Sequence, residues 1–465
     1  MMTRAIRSRL SRRRPFCLLG AAGTGKSTLL MDFAGSFSDH IILDLATAVD
    51  RRIFANGEPP GEVLKAISFL KEKEIRGSGT LIILEEIGRC PEAVTWVKAM
   101  DSERPEPGPR TQHPAIAATS RFFSKETVTL CDPGTGAMEP VFLHPLTFAE
   151  FLEATGDPGS LAAFHEVPIP YYAYDKLLHH FHRYALIGGM PAIVASYAEK
   201  GTLSALKKTY GILEDHFTVT LSSVGESRRT TGLASEILRN CYPFAATRIS
   251  FNRFSNIESG SREISRAFSL LQRAFLVDLT YPVTSPDLPP LPDRSRFPRL
   301  HVLDTGLVCF NSGIQRSLYE SNDMVTLFQG QLARQAVGQE ISASAPEADT
   351  DKASSRISHA GKWPLHFWIR EKAQSKAEVD FVIPFRDILI PVVVKSGEPG
   401  RLRSLHEFMD LCPHPFAVRL HGGQTSVQQA STIRGKKYFL LSLPYFLAGR
   451  IREHLGGFIR LSAGG

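Results

Sequence analysis

The chain carries the sequence Gly20-Ala21-Ala22-Gly23-Thr24-Gly25-Lys26-Ser27, which is an uninterrupted G-x-x-x-x-G-K-S pattern. An apolar run at residues 16–19 precedes it, and the helix-like residues 28–33 follow it. Glycines permit the tight curve in which backbone N–H groups surround phosphates, while Lys26 neutralises phosphate charge and the Ser27 hydroxyl can ligate Mg²⁺. This order of strand, loop and helix predicts a nucleotide-binding site, and Thr28 completes the set of residues that we expect to bind ATP.

Short apolar runs continue beyond the loop, at residues 41–44, 81–84, 115–118 and 141–143. Runs of this length between helical stretches are typical of the strands of a buried parallel sheet. We therefore expect an α/β fold of the P-loop NTPase type, with its core at residues 1–147.

Two acidic residues, Glu85 and Glu86, end the run at 81–84. Hydrolysis needs an acid that holds the metal ion and a group that orients or deprotonates water. We expect Glu85 to serve the Mg²⁺ site together with Ser27, and Glu86 to polarise the attacking water. The first acid of such a pair is usually Asp, so the extra methylene of Glu85 changes the metal geometry. A solvated acidic strand end is the alternative.

Hydroxyl side chains end the next apolar run, at Thr119 and Ser120. At this position they can contact the γ-phosphate or the water, although a hydroxyl at a strand end also occurs in ordinary turns. Arg121 follows immediately and is our candidate for a catalytic arginine finger.

Length, apolar content and charge limit the protein's class. At 465 residues, with 43% hydrophobic residues, the chain is long enough for two or three domains. The apolar runs are far shorter than the roughly 18 to 20 residues of a membrane span, so we expect a soluble protein. Six scattered cysteines with no C-x-x-C pair fit the reduced thiols of a cytoplasmic protein. The net charge of +7 includes six arginines among the first 14 residues, which indicates a basic arm and also resembles an organelle transit peptide. Because the first strand begins at about Phe16, we expect a solvated helix packed ahead of it, with Ile6 and Leu10 facing inward.

The middle of the chain has a helical pattern that predicts a lid at 148–222, followed at 223–298 by a winged-helix-like segment and a linker. Within that segment, Ser261 can cap a helix whose apolar stripe comprises Ile264, Ala267, Phe268 and Leu271. Arg262 and Arg266 then lie on the opposite face, where they could read double-stranded DNA. An ordinary packing helix with solvated arginines is the alternative.

Several motifs occur together in a characteristic order: residues 20–27, 84–92, 143–152, 188–191, 299–307, 378–383 and 394–397. In this order they resemble the archaeal and bacterial AAA-type P-loop ATPases that carry a C-terminal domain of unknown function. The resemblance implies an ATPase core, a helical lid, a winged helix and, at 299–465, an α/β domain similar to the PD-(D/E)XK nuclease fold. It also implies a site of Glu340, Asp380 and Lys395 in that last domain.

This nuclease-like site is expected to be degenerate. The acid that belongs two positions before Lys395 is Val393, and the Glu common near the start of the helix is Arg334. Losing a carboxylate from a site that clamps a divalent ion reduces its occupancy severely. Glu378, which shares a strand face with Asp380, is the only visible substitute ligand.

Three functions remain open at this point. The main hypothesis is a nucleotide-driven switch that hydrolyses ATP and acts on DNA or a protein partner, alone or as a homo-oligomer. The alternatives are an ATP-regulated, metal-dependent nuclease and a module that binds ATP without hydrolysing it.

Overall fold

The computed structural model describes residues 4–12, 14–102, 113–132, 136–224, 226–252, 254–321, 330–344, 365–371, 377–395 and 402–463. The first of its sheets contains β1 (Phe16–Leu19), β2 (Asp39–Asp44), β3 (Thr80–Glu85), β4 (Ala115–Ser120) and β5 (Glu139–Phe142). The strand order is β2-β3-β4-β1-β5, and every neighbouring pair is parallel. The parallel sheet predicted from the short apolar runs is thus confirmed.

Helices cover both faces of this sheet: α1 (Lys26–Ala34), α2 (Ala48–Arg51), α3 (Pro60–Lys71), α4 (Pro91–Ser102) and α5 (Lys125–Leu130). Successive residues of a strand point to opposite faces. Phe16 and Leu18 therefore lie in an apolar cluster with α1. Cys17 and Leu19 belong instead to a second cluster, which also contains residues of α4. Burial on both faces explains why the strands read as continuous apolar runs.

The next stretch is helical, with α6 (Phe148–Ala154), α7 (Pro158–His165), α8 (Tyr174–Ile187), α9 (Pro191–Lys200) and α10 (Lys207–Ser222). Helix α6 begins with a capping box, in which the side chains of Thr147 and Glu150 each accept a hydrogen bond from the other's backbone N–H. The helix therefore starts at a fixed position directly after the parallel sheet.

Two strongly amphipathic helices follow, α11 (Arg228–Asn240) and α12 (Ser261–Arg273). Strand β6 (Val277–Thr280) comes next, then β7 (Pro282–Val283) and β8 (Arg299–Val302), and β6 pairs with β8 in an antiparallel two-stranded sheet. The predicted stripe of α12 is buried. The predicted cap is wrong by one residue: Gly260 is the N-cap, and Glu263 satisfies its backbone N–H at 3.4 Å.

The remaining helices are α13 (Thr305–Asn311), α14 (Gln315–Ser321), α15 (Gln331–Ala343), α16 (Arg403–Leu411) and α17 (Ile451–Ala463). The strands are β9 (His366–Ile369), β10 (Glu378–Phe385), β11 (Ile388–Val394), β12 (Phe416–His421), β13 (Ser426–Ser431) and β14 (Lys437–Pro444). Together with β7 they form a mixed sheet in the order β13-β14-β12-β11-β10-β9-β7.

A single apolar cluster, which we call the central core, joins the two ends of the chain and contains side chains from Cys17 to Phe458. Ring contacts bridge distant segments within it, such as Phe148 with Phe446 at 6.4 Å and Phe123 with Phe275 at 6.3 Å between centroids. No helix within the described residues is long and apolar enough to cross a membrane.

Candidate nucleotide site

The phosphate loop lies where β1 ends and α1 begins. Gly23 and Gly25 have φ values of +80° and +91°, in the left-handed region that favours glycine. Gly25 is the N-cap residue of α1, so the unpaired N–H groups of the first helical turn and the positive end of the helix dipole face the loop. The local backbone therefore has the form that binds an anion.

Lys26 is buried within this loop. Its Nζ donates hydrogen bonds to the carbonyl oxygens of Gly20 and Ala21, each at 2.8 Å. Burial lowers the pKa of the Lys26 ammonium to about 8, although the nearby charges of Glu86 and Glu85 act in the opposite direction. The side chain therefore carries its charge close to the acids at the end of β3.

Glu86 follows β3 with a φ of +56°, which is uncommon for a residue other than glycine. Its backbone N–H donates to Thr119 Oγ1 at 3.2 Å. Its Oε2 lies 3.3 Å from Nε of Arg121. Burial raises the pKa of the Glu86 carboxyl above its ordinary value, while the Arg121 and Lys26 charges oppose this rise. Backbone geometry of this kind often marks a functional position.

A cleft of about 890 Å³ opens in front of the loop, and its volume falls within the range of small-molecule sites. The lining residues from the parallel-sheet part of the fold and the N-terminal segment are Arg4, Ala22, Gly23, Gly25, Lys26, Ser27, Thr28, Leu29, Asp32, Glu86 and Arg121. The helical stretch and the residues before it contribute Leu146, Glu153, Ala154, Pro191, Ala192, Ala195 and His216. The cleft thus combines a charged, glycine-rich set of residues with a more apolar one, a composition suited to a nucleotide.

The other residues predicted for this site are placed close to it but do not line the cleft. Thr119 Oγ1 accepts a hydrogen bond from the backbone N–H of Glu86 and so helps to fix the position of that residue. Ser120 Oγ donates to the carbonyl of Phe122 at 2.7 Å, so its hydroxyl closes a local turn. Glu85 is half-buried and forms no ion pair with any residue that the structure describes.

Two parts of the cleft wall escape prediction from the sequence. One is Arg4, which the sequence pattern groups with the other N-terminal arginines as a basic arm. The second is the start of α9 at Pro191. The motif at residues 188–191 is visible in the sequence, but it predicts no role in nucleotide binding. Both are separated from the loop in sequence, and only the fold brings them to it.

Glu340 and Asp380, two residues predicted for the nuclease-like site, form hydrogen bonds and ion pairs with different sets of neighbours. Glu340 Oε1 accepts hydrogen bonds from the Phe148 N–H at 2.9 Å and the Tyr184 hydroxyl at 2.7 Å. Asp380 Oδ2 accepts the N–H of Val394 at 2.8 Å, and Arg334 lies 3.6 Å from Oδ1. The structure gives no support to a shared site of Glu340, Asp380 and Lys395.

Glu378, the residue suggested as a substitute metal ligand, also lies next to arginines. The Arg299 guanidinium contacts both the Glu378 carboxylate and the Asp380 carbonyl. The Lys395 carbonyl accepts the Tyr445 hydroxyl. Within the described parts of the chain, no group of three His, Cys, Asp or Glu residues is placed to hold a metal ion.

A buried polar network joins the motifs at 143–152, 188–191 and 299–307. The Asp304 carboxylate accepts the N–H groups of Gly189 at 2.6 Å, Gly306 at 2.9 Å and Leu307 at 3.2 Å. Gln339 Nε2 donates to Asp304 at 3.3 Å and to the Tyr184 hydroxyl at 2.9 Å. Burial raises the pKa of Asp304 to about 6 and that of Glu340 to about 7.

The outer face of α12 is polar and basic. Its exposed residues are Ser261, Arg262, Ser265, Arg266 and Ser269. Arg229 of α11 pairs with Glu263 at 2.7 Å, whereas Arg262 and Arg266 pair with no acid among the described residues. The face therefore presents two unneutralised guanidinium groups among hydroxyls.

Comparison with known proteins agrees with the geometry of the loop and the sheet. Residues 12–152 match a family model described as an AAA domain. This part of the chain has an AAA-type P-loop NTPase fold. Residues 178–318 and 329–444 match two further families, each described as a domain of unknown function (DUF8612 and DUF4143). Neither match identifies a nuclease fold or a winged helix.

Solved structures with some similarity include the Aeropyrum pernix ORC1 protein in complex with DNA, at 15% identity and a TM-score of 0.28 over 68% of this chain and 89% of that one. A point variant of Thermotoga maritima RuvB has 14% identity and a TM-score of 0.28 over 59% of this chain and 85% of that one. Such low TM-scores carry no functional argument. A comparison with curated proteins finds no match.

Proposed function

We propose that this protein binds and hydrolyses ATP in the cleft of the AAA-type domain and uses the nucleotide to switch the state of its C-terminal half. The observation that carries the proposal is the convergence of Lys26, Glu86 and Arg121 on one cleft beside a glycine-rich helix start. A phosphate-binding loop, a buried cation and an acid for water activation are the groups that ATP hydrolysis needs.

In this proposal the loop N–H groups and Lys26 hold the β- and γ-phosphates. Ser27, which lines the cleft, would hold a Mg²⁺, and Glu85, which lies outside the cleft lining and pairs with no cation among the described residues, would act on that ion only through its bound water. The ion would neutralise phosphate charge when bound. Glu86 accepts a proton from water as the water oxygen bonds to the γ-phosphorus. The bond from that phosphorus to the bridging oxygen then breaks, and ADP leaves.

Before the nucleotide binds, the ion pair between Glu86 and Arg121 keeps the Glu86 carboxylate from accepting a proton from water. Arg121 lines the cleft, and its partner is Glu86 of the same chain. We therefore assign Arg121 a contact inside its own site rather than the role of an arginine finger: phosphate draws the guanidinium away from Glu86. Glu86 then becomes available to water.

The switch itself is supported by the polar network around Asp304. Gly189 lies two residues before Pro191, which lines the cleft, and its N–H is held by Asp304 next to α13. Glu340 of α15 holds the first N–H of α6. Any movement of the cleft wall must therefore act on residues of the C-terminal half.

An ATPase assay with purified protein tests this proposal. Lys26→Ala should abolish turnover and weaken ATP binding, and Glu86→Gln should abolish turnover while binding persists. Lys65→Ala, which removes an exposed lysine paired with Glu62 on α3, serves as the matched control and should behave as wild type. Turnover that is the same in Lys26→Ala as in wild type would contradict the proposal.

The rival hypotheses give other outcomes in the same assay. A module that only holds ATP would bind it, lose binding in Lys26→Ala and show no phosphate release in wild type. A nuclease would cleave plasmid with Mg²⁺ or Mn²⁺ and lose cleavage in Asp380→Ala. The ion pairing of Asp380 and Glu378 with arginines argues against that activity.

A specific observation favours double-stranded DNA as the partner of the switch. Helices α10, α11 and α12 followed by the antiparallel β6–β8 pair have the order of a winged helix, and the exposed face of α12 carries Arg262 and Arg266. We propose that this face contacts DNA phosphates. The double substitution Arg262→Ala and Arg266→Ala should weaken duplex binding and reduce its salt dependence by about two counterions.

The control for this experiment is Arg316→Ala, since Arg316 is an exposed arginine of α14 that pairs with Glu320 on the same helix, away from α12 in sequence. Wild-type protein that fails to bind duplex DNA at low salt would rule out the DNA interface and leave a protein partner as the alternative.

A further inference from the structure

Arg4 lies in an unusual place for an arginine of a basic N-terminal segment. Its side chain is only 10% exposed, and it forms an ion pair with Glu150 at 3.1 Å. The same guanidinium donates to the carbonyl of Thr24 at 3.0 Å and to that of His144 at 2.7 Å. Burial lowers the pKa of Arg4, and Glu150 acts against this change. Three separate segments thus converge on one charged group.

The contact with Thr24 has a direct consequence for the phosphate loop. A trans peptide unit is planar, so its carbonyl and its N–H point in opposite directions. The carbonyl of Thr24 and the N–H of Gly25 belong to one such unit. By holding the Thr24 oxygen on one side, Arg4 directs the Gly25 N–H to the other side.

The neighbouring peptide units are held by backbone hydrogen bonds: the Thr24 N–H donates to the Ala21 carbonyl at 3.4 Å, and the Gly25 carbonyl accepts the Leu29 N–H at 2.9 Å. Gly25 has a φ of +91°, and a glycine can rotate between conformations that other residues do not reach. A Cβ on Gly25 would meet only Pro191 at 3.7 Å and Arg4 Nη1 at 4.0 Å, both in ordinary contact. Arg4 therefore supplies a polar restraint on the Thr24 carbonyl at a glycine of the loop.

Glu150 fixes Arg4 in turn. Its Oε1 also accepts the N–H of Ala5 at 2.8 Å, and its Oε2 accepts the N–H of Thr147 at 2.9 Å in the capping box of α6. Because both carboxylate oxygens are held by backbone groups, Glu150 presents a fixed anion to the guanidinium. Arg4 is thus part of a rigid assembly.

We infer that Arg4 is a positioning residue for ATP: it orients the Gly25 N–H toward the phosphates and so prepares the loop for nucleotide. This inference rests on the proposed function and adds a residue to its binding site. Two other N-terminal arginines serve different contacts. Arg7 pairs with Asp32 at 2.8 Å on the surface, and Arg12 stacks on Phe37.

The test compares Arg4→Ala, Arg4→Lys and Arg12→Ala in the full-length protein. Affinity is measured by titration with a fluorescent ATP analogue and Mg²⁺, turnover by phosphate release, and folding by thermal unfolding. Arg4→Ala should raise the dissociation constant and KM roughly tenfold, with kcat at saturating ATP changed less than roughly threefold. Arg4→Lys should give an intermediate loss, because an ammonium cannot reproduce the planar fork of a guanidinium.

Arg12→Ala should match wild type in affinity, because Arg12 is exposed and stacks on Phe37, and neither residue lines the cleft. A purely structural role for Arg4 would lower the unfolding temperature and the active fraction while leaving the dissociation constant of the folded protein unchanged, and that result would overturn the inference. ATP binding that disappears in Lys26→Ala but is unchanged in Arg4→Ala would overturn this inference alone. No ATP binding by wild type would overturn it together with the proposed function.

Discussion

The Asp304 carboxylate accepts the backbone N–H of Gly189 at 2.6 Å, across 115 positions of sequence. The carbonyl of Gly189 in turn accepts the N–H of Leu146, also at 2.6 Å. The chain between β5 and α6 is therefore hydrogen-bonded through one glycine to the start of α13. This relationship connects the rim of the nucleotide cleft to the C-terminal half of the molecule.

Removing the acid from this relationship should destabilise the fold. Asp304→Ala leaves the N–H groups of Gly189, Gly306 and Leu307 buried without this acceptor, and each unpaired group costs about 1–3 kcal/mol. We expect a loss of about 3 kcal/mol or more in the free energy of unfolding, measured with denaturant. Asp215→Ala, at an exposed position of α10, should change it by less than about 0.5 kcal/mol. Equal effects of the two substitutions would contradict the assignment.

The close approach of the Asp304 carboxylate to the backbone of Gly188 provides a second prediction. A Cβ at Gly188 would lie 1.9 Å from Asp304 Oδ1, whereas a Cβ at Gly201 would meet nothing within 4 Å. Both glycines have positive φ values, of +81° and +67°, so alanine is strained at each. The ψ of Gly201 is 2°, in the left-handed region, whereas the ψ of Gly188 is −176°, in a region essentially restricted to glycine. Gly201→Ala should therefore cost about 1 kcal/mol, and Gly188→Ala several times as much. Thermal unfolding of the two variants measures what the contact and the more restricted backbone of Gly188 add together, and equal losses would show that neither adds anything.

Stability should depend on pH through Glu340. Burial raises its pKa from 4.5 to about 7, so the folded state binds a proton that the unfolded state releases. The stabilisation from that proton is complete below pH 4.5 and is lost as pH rises through 7. The unfolding temperature should rise on acidification from pH 8 to pH 6, and Glu340→Gln should flatten this part of the profile. An unchanged profile in the variant would assign the dependence to another group.

ATP affinity should also depend on pH, through Lys26. Its pKa of about 8 in the free protein means that part of the population is neutral at pH 8 and most is neutral at pH 9. Phosphate binding favours the charged ammonium, so binding must take up a proton above pH 8 and affinity should fall. Titrations between pH 7 and pH 9 measure this directly. An affinity that is constant over this range would show that Lys26 stays charged in the free protein.

The local parts of the site could be predicted from the sequence. The loop is set by glycines and a lysine within a short stretch, and Glu86 follows from its place at the end of a buried strand. Arg4, Gly189 and Asp304 could not be assigned in this way, because their roles depend on contacts between segments far apart in the chain. No local pattern specifies such contacts.

The prediction that Glu340 belongs to a nuclease-like site shows a different limit of prediction from the sequence. Nearly every residue of α15 from Leu332 to Ile341 is buried, so the helix has no polar face that would tell which side points to which neighbour. A buried carboxylate on such a helix can serve a metal site or hold a backbone N–H. The fold places it at the start of α6, where Phe148 and Tyr184 occupy it.

The central core has a consequence for any attempt to divide the protein. Its side chains come from the parallel sheet, the helices between the two sheets and the mixed sheet, so residues on both sides of positions 147, 222 and 298 belong to the same cluster. A fragment ended at one of these positions would expose an apolar flank to water and would aggregate rather than stay monomeric. Truncation is therefore a poor tool for this protein, and its parts are best separated by point substitutions within the intact chain.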